Sequence, residues 1–462
     1  MDTRKVGKED FISKLPNDVV AHILSYLNTK EAVQTAVLSR RWRYLWTYIH
    51  SLNFNDFHIR EMEGRNQVFM DFVDRVLGLR GSRNIQTFTL GFYDFRRQND
   101  LLRVNAWINY ALCCNVKELD LFLLLEYEER IPVRLPENFS SCESLVALKL
   151  RTDFVFTIPS TITCFPSLKV LRVDAKHPDC EFLSTLFCRC PVLEDLFIYV
   201  NDLGQDGDDQ VEHTFTISIP TLKRLKIDIC RRFENFSDQK FIIQTPNLVY
   251  LTIQDDSMAY FVIDEIPSLL EAKVSIGHST FFYKDQVSQQ EAHRLLMGIL
   301  KGIRNAKFLN LSASTTAALS YAVDDDLPTF LFMLRLEMGI DHFFGWKSLP
   351  HFLRNSPILE FLVLERVTFD EAGGELDVED NFGWIPPMPQ PYCLLQHLKE
   401  IKMRYLWALE DEAEVVKYLL ENGKVLEKMS FMFDEDSSEE ELNADMIEEF
   451  PRGSEKCVIE FD

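Results

Sequence analysis

The residues of this chain that could hold a metal are ten cysteines and several short acidic runs. The cysteines stand at 113, 114, 142, 164, 180, 188, 190, 230, 393 and 457, and no two form the C-x-x-C pair common in zinc sites. Cys188-Arg189-Cys190 is the tightest spacing, and it ends a helical segment just before Pro191. Buried thiols in a reducing compartment are the expectation. Asp202 to Asp209, DLGQDGDD, resembles a calcium loop, but its carboxylates miss the ligand spacing and no glutamate closes the twelfth position. A Gly-rich phosphate loop, a G-x-S-x-G elbow and a His pair at metal spacing are all missing from the sequence. The expectation is therefore a chain with no catalytic residue, no cofactor and no metal. The chemistry left is recognition, and its candidates are cations that recur at one position of a repeat: Lys149, Arg172, Lys226, Lys273 and Arg335.

The repeat that must position them begins near Asn84. Two apolar residues three apart are followed by a third two further on, as in Val116-x-x-Leu119-x-Leu121 and Leu145-x-x-Leu148-x-Leu150. The same frame recurs through Leu168, Leu193, Leu222, Leu248 and Leu269, then more weakly from Ala306, Leu331 and Leu359. Alternation of this kind makes a short strand whose leucines point inward and whose intervening residues point out. No single unit buries its own apolar edge, so the units must stack, as in a leucine-rich solenoid. Proline often lies two residues ahead of the first leucine, at Pro166, Pro191, Pro220, Pro246, Pro267 and Pro357. There its missing amide does not interrupt the ladder. Cys180–Cys190 and Gln289–Lys301 read as helices that cover the other side.

The residue between the last two motif positions should face the concave surface. In order these are Asp120, Lys149, Arg172, Phe197, Lys226, Thr252, Lys273, Asn310, Arg335, Val363 and Lys402. Six of these eleven are cationic in a chain of net charge −23. They predict a basic strip that selects an acidic or phosphorylated target segment. The overall charge argues against nonspecific nucleic-acid binding, and Arg40, Arg41 and Arg43 are the polar side of a helix. No apolar run is long enough to span a membrane, and the charged start MDTRKVGKEDF lacks the core of a secretory signal. An intracellular protein of the nucleus or cytoplasm, or both, is expected, with no membrane partner.

Ahead of the repeats, Phe11 to Tyr48 predicts three short helices. The first opens after Leu15-Pro16, capped by Asn17 or Asp18, and carries Val20, Ile23, Leu24 and Leu27 on one face. The second begins at Thr29 without a full capping box and carries Ala32, Val33, Ala36 and Val37. Ser39 is placed to cap the third, which carries Trp42, Leu45 and Trp46. About forty residues enclose too little interior for all these groups, so some must cover another surface.

This stretch resembles an F-box, on Leu15-Pro16, Ile23-Leu24, Leu27, Val37-Leu38-Ser39 and Trp42…Leu45-Trp46; Asn28 stands where a proline is often seen. The array resembles the irregular leucine-rich repeats of plant F-box proteins, though it lacks the asparagine of standard repeats. Residues 371 to 462 resemble the FBD module of such proteins, on Trp384, Pro391, Cys393-Leu394-Leu395, His397-Leu398-Lys399, Val416-Lys417-Tyr418, Val425 to Met429 and Phe450-Pro451-Arg452-Gly453. The implied organisation is F-box at 9–50, a linker and first repeat or helix at 51–83, solenoid at 84–370 and FBD at 371–462. The implied fold is α/β: a three-helix F-box, a solenoid of strand plus helix or loop per repeat, and an FBD-type cap. The resemblance further implies docking on a Skp-type adaptor and, through it, a cullin. Leu15, Pro16, Ile23, Leu24, Leu27, Val37, Leu38, Trp42 and Trp46 would carry that docking while the solenoid holds a target protein for ubiquitination. The alternative is a non-degradative F-box scaffold.

Overall fold

A strand that alternates apolar and polar side chains buries its apolar row only when further strands run alongside it. A connection that returns over the apolar side makes successive strands parallel. The computed structural model follows this rule throughout. It describes residues 12–55, 65–80, 84–92, 98–123, 133–134, 139, 142–152, 156–157, 165–175, 180–202, 213–231, 239–277, 286–320, 327–341, 345–367, 384–407, 410–434 and 444–461. The chain divides into two units, residues 1–193 and 194–462.

In the first unit, short helices lead into a parallel ladder of Ser51–Asn55, Thr87–Phe92, Glu118–Leu123, Ala147–Thr152 and Val170–Ala175. Residues 51–55 form the first rung of the ladder, ahead of the strand Thr87–Phe92. Helices Arg65–Leu79 and Gln98–Cys113 return the chain between the first rungs. Arg103 joins them by reaching Asp71 at 2.8 Å and Asp74 at 2.5 Å, and the Trp107 indole donates to Asp74 at 2.6 Å.

The second unit holds the parallel ladder Asp195–Asp202, Arg224–Arg231, Tyr250–Asp255, Glu271–Ile276, Phe308–Leu311, Arg335–Asp341, Phe361–Val367, Glu400–Leu406, Lys428–Phe433 and Val458–Phe461. The last three rungs lie in the stretch that resembles an FBD module, so that module continues the ladder. Inward leucines such as Leu225, Leu251, Leu309, Leu336 and Leu362 are buried. A backbone carbonyl just ahead of each strand accepts from two successive amides of the next rung: Lys223 O from Val249 and Tyr250, Leu270 O from Lys307 and Phe308. This repeated forked bond locks the register.

Helices cover part of the apolar side: Cys180–Cys188 in the first unit, Gln286–Gly302 and Glu410–Asn422 in the second. Over residues 213–263 the covering layer is instead a second parallel sheet, His213–Ile217, Gln239–Ile243 and Tyr260–Ile263. Phe215, Phe241 and Phe261 stack through it at centroid spacings of 4.8 and 5.2 Å. Such ladders of parallel aromatic rings add to area burial and favour strand over helix.

The turn that feeds this layer is built on a buried acid. Asp255 accepts from the Ser257 amide at 2.8 Å, the Ser257 hydroxyl at 2.7 Å and the Ala259 amide at 2.7 Å, and this holds Met258 at φ 58°. Burial pushes the Asp255 carboxyl up from 3.8 to about 6 against the pull of those hydrogen bonds. A folded-state value above the unfolded one means the native fold binds this proton more tightly. The resulting stability is complete below pH 3.8 and is lost as pH rises through about 6. Asp255→Asn removes the titration and sets an amide N–H against the Ala259 N–H, which costs about 1–3 kcal/mol at pH 7. The stability gap between the two proteins is expected to widen from pH 7 to pH 5 in urea unfolding. A gap independent of pH would rule the account out.

Candidate functional site

The N-terminal helices have two apolar sides with different fates. Pro16 precedes helix Asn17–Leu24, and Asn28 caps helix Thr29–Gln34. Here the structure corrects the sequence reading: Asn28 Oδ1 accepts from the Glu31 amide at 2.9 Å while Glu31 Oε2 accepts from the Asn28 amide at 3.2 Å, a complete capping box. The third segment, Trp42–Tyr48, is a 3₁₀ helix, with no side-chain cap from Ser39. Arg41 ties the start of the unit together through Leu15 O and Asn17 Oδ1. Thr29 Oγ1 accepts from the Asn53 amide at 2.8 Å and joins the second helix to the first rung.

Val20, Ala32 and Leu45 fill the interior of this helical cluster. Leu24 and Trp46 join them at 1% and 6% exposure, so these two belong to the core and are withdrawn from the docking set. Trp46 also spends its indole N–H on Arg43 O at 3.0 Å. Leu15 and Trp42 are half-buried, whereas Pro16, Ile23 and Leu27 are exposed. Val37 at 87% and Leu38 at 65% stand out in solvent, with Val19, Tyr26 and Tyr44 also exposed. The sequence reading missed those last three. Exposed side chains of this size on a small folded unit make this face a candidate interface.

The outward face of each ladder is the second candidate. In the first unit Asp120, Lys149 and Arg172 lie in register on adjacent strands. Lys149 Nζ is 3.9 Å from Asp120, and Arg151 is 3.5 Å from the same carboxylate with its guanidinium 4.8 Å over Phe122. In the second unit the row runs Phe197, Lys226, Thr252, Lys273, Asn310, Glu337, Val363 and Lys402. Arg335 is not in it: Phe308 pairs with Arg335 and Asn310 with Glu337. The correct frame is Met333-x-x-Leu336-x-Met338, with all three buried, while Leu331 is left 58% exposed.

The expected basic strip is not present in the second unit. Lys226 meets Asp228 at 3.1 Å, Lys273 meets Glu271 at 3.0 Å, Lys402 meets Glu400 at 3.1 Å and Arg335 meets Glu337 at 2.5 Å. Each cation thus has a carboxylate two residues away on its own strand, because residues i and i+2 share a face. Burial opposes it, but the Arg335 and Asn310 hydrogen bonds hold Glu337 below the usual carboxylate range. Half-exposed pairs of this kind are worth about 0–1 kcal/mol and keep the face neutral and soluble.

One irregularity breaks this face. The strand Phe308–Leu311 is short, and the chain turns at Ser312 into the buried helix Ala313–Leu319. The helix start presses on the next rung so closely that a Cβ on Gly339 would lie 2.4 Å from the Ala313 nitrogen. The notch left over is a cavity of about 290 Å3 lined by Ser275, Asn310, Ser312, Glu337, Gly339 and Glu365 among others.

At the C-terminal end of the second unit, Arg366 is buried with Asp411 and Glu412 of helix Glu410–Asn422. The segment before helix Tyr392–Gln396 is strapped down by Trp384 on Tyr418 at 5.5 Å, the Tyr418 hydroxyl donating to Pro387 O at 3.0 Å, and Gln390 donating to Asn422 at 2.6 Å. The ion group is not visible as a sequence motif, whereas Trp384 of the strap belongs to the FBD-like pattern. Among the described residues no three His, Cys, Asp or Glu side chains gather at metal-binding distance, and no helix is long and apolar enough to cross a membrane. Eight described cysteines carry free thiols, Cys188 exposed and Cys190 buried among them. Asp202 apart, the acidic run to Asp209 lies outside the described residues, as does most of the run from Asp434 to Glu441.

Comparison with known proteins agrees with these elements. An F-box domain model matches residues 12–53, and an FBD model matches residues 387–431. A model described as FBD-associated F-box protein At5g56370, LRR repeats, matches residues 104–269. F-box/LRR-repeat protein At4g14103 of Arabidopsis thaliana is 35% identical over 373 residues, covering 78% of this chain and 92% of that protein. F-box/LRR-repeat protein At3g59200 of the same plant is 32% identical over 482 aligned residues, covering 98% and 88%. F-box/FBD/LRR-repeat protein At1g78750, also from that plant, is 29% identical with 97% and 96% covered. With its apolar-faced helices, parallel leucine ladder and C-terminal module, the chain belongs to the plant F-box/LRR-repeat family, in its FBD-containing form, a family of F-box substrate-recognition proteins.

Proposed function

We propose that this chain is the substrate-recognition subunit of a Skp–cullin–F-box ubiquitin ligase. The F-box helices dock on a Skp-type adaptor, which links the chain to a cullin, and the outward face of the ladder holds a target protein. The chain contributes no catalytic residue; it acts by proximity, raising the target's effective concentration at the ubiquitin-transfer machinery. It works inside the cell, in the nucleus, the cytoplasm or both. The observation that carries this reading is the exposure of Val37 and Leu38, with Ile23 and Leu27, on helices whose other side is packed. An apolar surface that a folded unit keeps in water is supported by a partner that covers it.

The test is capture of a purified Skp-type adaptor by the wild-type chain and by a Leu15→Ala, Pro16→Ala variant. Wild type is expected to bind and the variant to bind weakly. Failure of wild type to bind would end the ligase reading. Once the adaptor binds, ubiquitin transfer to a co-purified target in a reconstituted complex separates the ligase role from that of a scaffold, for which transfer stays at background.

A further inference from the structure

We infer that the outward face of the first unit holds a phosphorylated side chain of the target between Lys149 and Arg172. The inference rests on the reading of this chain as a target-binding subunit and names what one part of its surface selects.

Lys149 and Arg172 are direct register partners on the adjoining parallel strands Ala147–Thr152 and Val170–Ala175. Neighbouring strands are about 4.8 Å apart, and side chains in register leave the same face. Two like charges in that position destabilise a sheet. Elsewhere on the outward faces this is avoided by a carboxylate on each cation: Asp228 for Lys226, Glu271 for Lys273 and Glu337 for Arg335. Here it is not avoided. The nearest acid to Lys149 is Asp120, on the far side from Arg172, which sits 3.9 Å from Lys149 and 3.5 Å from Arg151 and so divides one charge between two cations. Asp174 stands opposite Arg151 in register and shares the face of Arg172 two residues along the strand, but no ion pair joins it to Arg172. Arg172 is exposed and has no ion pair or side-chain hydrogen bond among the described residues.

An arrangement that weakens the free protein is retained when a ligand resolves it. A phosphate monoester carries about two negative charges and three acceptor oxygens near neutral pH, enough for a guanidinium fork on one side and an ammonium on the other. A single carboxylate is satisfied by one guanidinium and leaves the second cation unpaired.

The probe is a set of peptide pools with degenerate flanks and a central phosphoserine, phosphothreonine, phosphotyrosine, glutamate or serine. Retention is measured on the full chain, alone and bound to its adaptor. At least one phosphorylated pool is expected to be held about tenfold or more better than the serine and glutamate pools, with the preference falling in high salt. Lys149→Gln and Arg172→Gln should each remove about tenfold of that preference. Lys273→Gln should leave it intact, and Arg172→Gln should melt no lower than wild type because the like-charge contact is relieved. Equal retention of phosphorylated and serine pools, glutamate held as well as every phosphorylated residue, or an equal effect of Lys273→Gln would overturn the site. Because the chain is also probed alone, a failure to bind adaptor strikes the ligase reading without deciding this one.

Discussion

Replacing Val37 and Leu38 by aspartate is expected to abolish capture of a Skp-type adaptor while leaving the thermal unfolding of the chain unchanged. Both side chains are in water, so the free protein loses no packing. In a complex, each aspartate would instead carry a charge into an apolar contact without a partner. An interface concentrates its affinity in a few buried apolar anchors, and the loss of one is worth about 2 kcal/mol or more. Two charges on that face amount to a loss of roughly a thousandfold or more in affinity. Leu24→Ala is the contrasting variant. Leu24 is buried, so its truncation should cost about 2–5 kcal/mol of stability. Any loss of binding in that variant should follow the loss of fold. Titration calorimetry for affinity and circular dichroism melts for stability separate the two classes. If Val37→Asp, Leu38→Asp binds as wild type does, the docking surface lies elsewhere on the chain.

That contrast marks how far the sequence could be read. Leu24 and Trp46 sit within the same motif as Ile23 and Leu27, and composition cannot say which apolar residue of a short helix faces in. The answer depends on how the Trp42–Tyr48 turn packs against helix Asn17–Leu24, which is a tertiary fact. The ladder was legible because a strand repeat with two invariant inward positions survives substitution of leucine by Ile, Val, Met or Ala. It failed at one place, the apolar run Phe330-Leu331-Phe332-Met333-Leu334, where two frames two residues apart both satisfy the pattern. Burial of Met333 and Met338 selects the second frame, and with it Glu337 rather than Arg335 falls into the outward row. The basic strip failed for a more general reason. It counted one residue per strand, whereas the neighbours two residues away share the face and carry the opposite charge. The covering layer was half legible: helical periodicity marked Cys180–Cys188 and Gln286–Gly302, but short strands stabilised by ring stacking leave little local signal.

What holds the C-terminal module to the ladder was not legible at all, and it leads to the largest expected loss of stability. Arg366, in rung Phe361–Val367, has a side chain 2% exposed, and its Nη1 lies 2.6 Å from Glu412 Oε1 and 3.5 Å from Asp411 Oδ2. Both acids lie in the first turn of helix Glu410–Asn422, where the helix dipole favours negative charge. The Trp407 amide donates to Glu412 at 3.0 Å, the Trp346 indole donates to Asp411 at 2.6 Å, and the guanidinium lies 5.9 Å from the Trp407 ring centroid. One cation thus faces two buried carboxylates. Arg366→Met fills the same space with apolar atoms but takes this cation from two buried anions, and this should cost about 3–5 kcal/mol. A hydrophobic swap is neutral only when the whole charged group is replaced together. Adding Glu412→Gln to Arg366→Met should therefore recover part of the loss, a non-additivity that simple loss of packing would not produce. Arg366→Lys keeps the charge and gives up the fork, so its loss should be smaller. Guanidinium unfolding followed by tryptophan emission reads all three variants, with Trp346 and Trp407 among the six emitters. A loss below about 1 kcal/mol for Arg366→Met would mean that the helix is held by the apolar face of Val415, Val416, Leu419 and Leu420, with the ion group secondary to it.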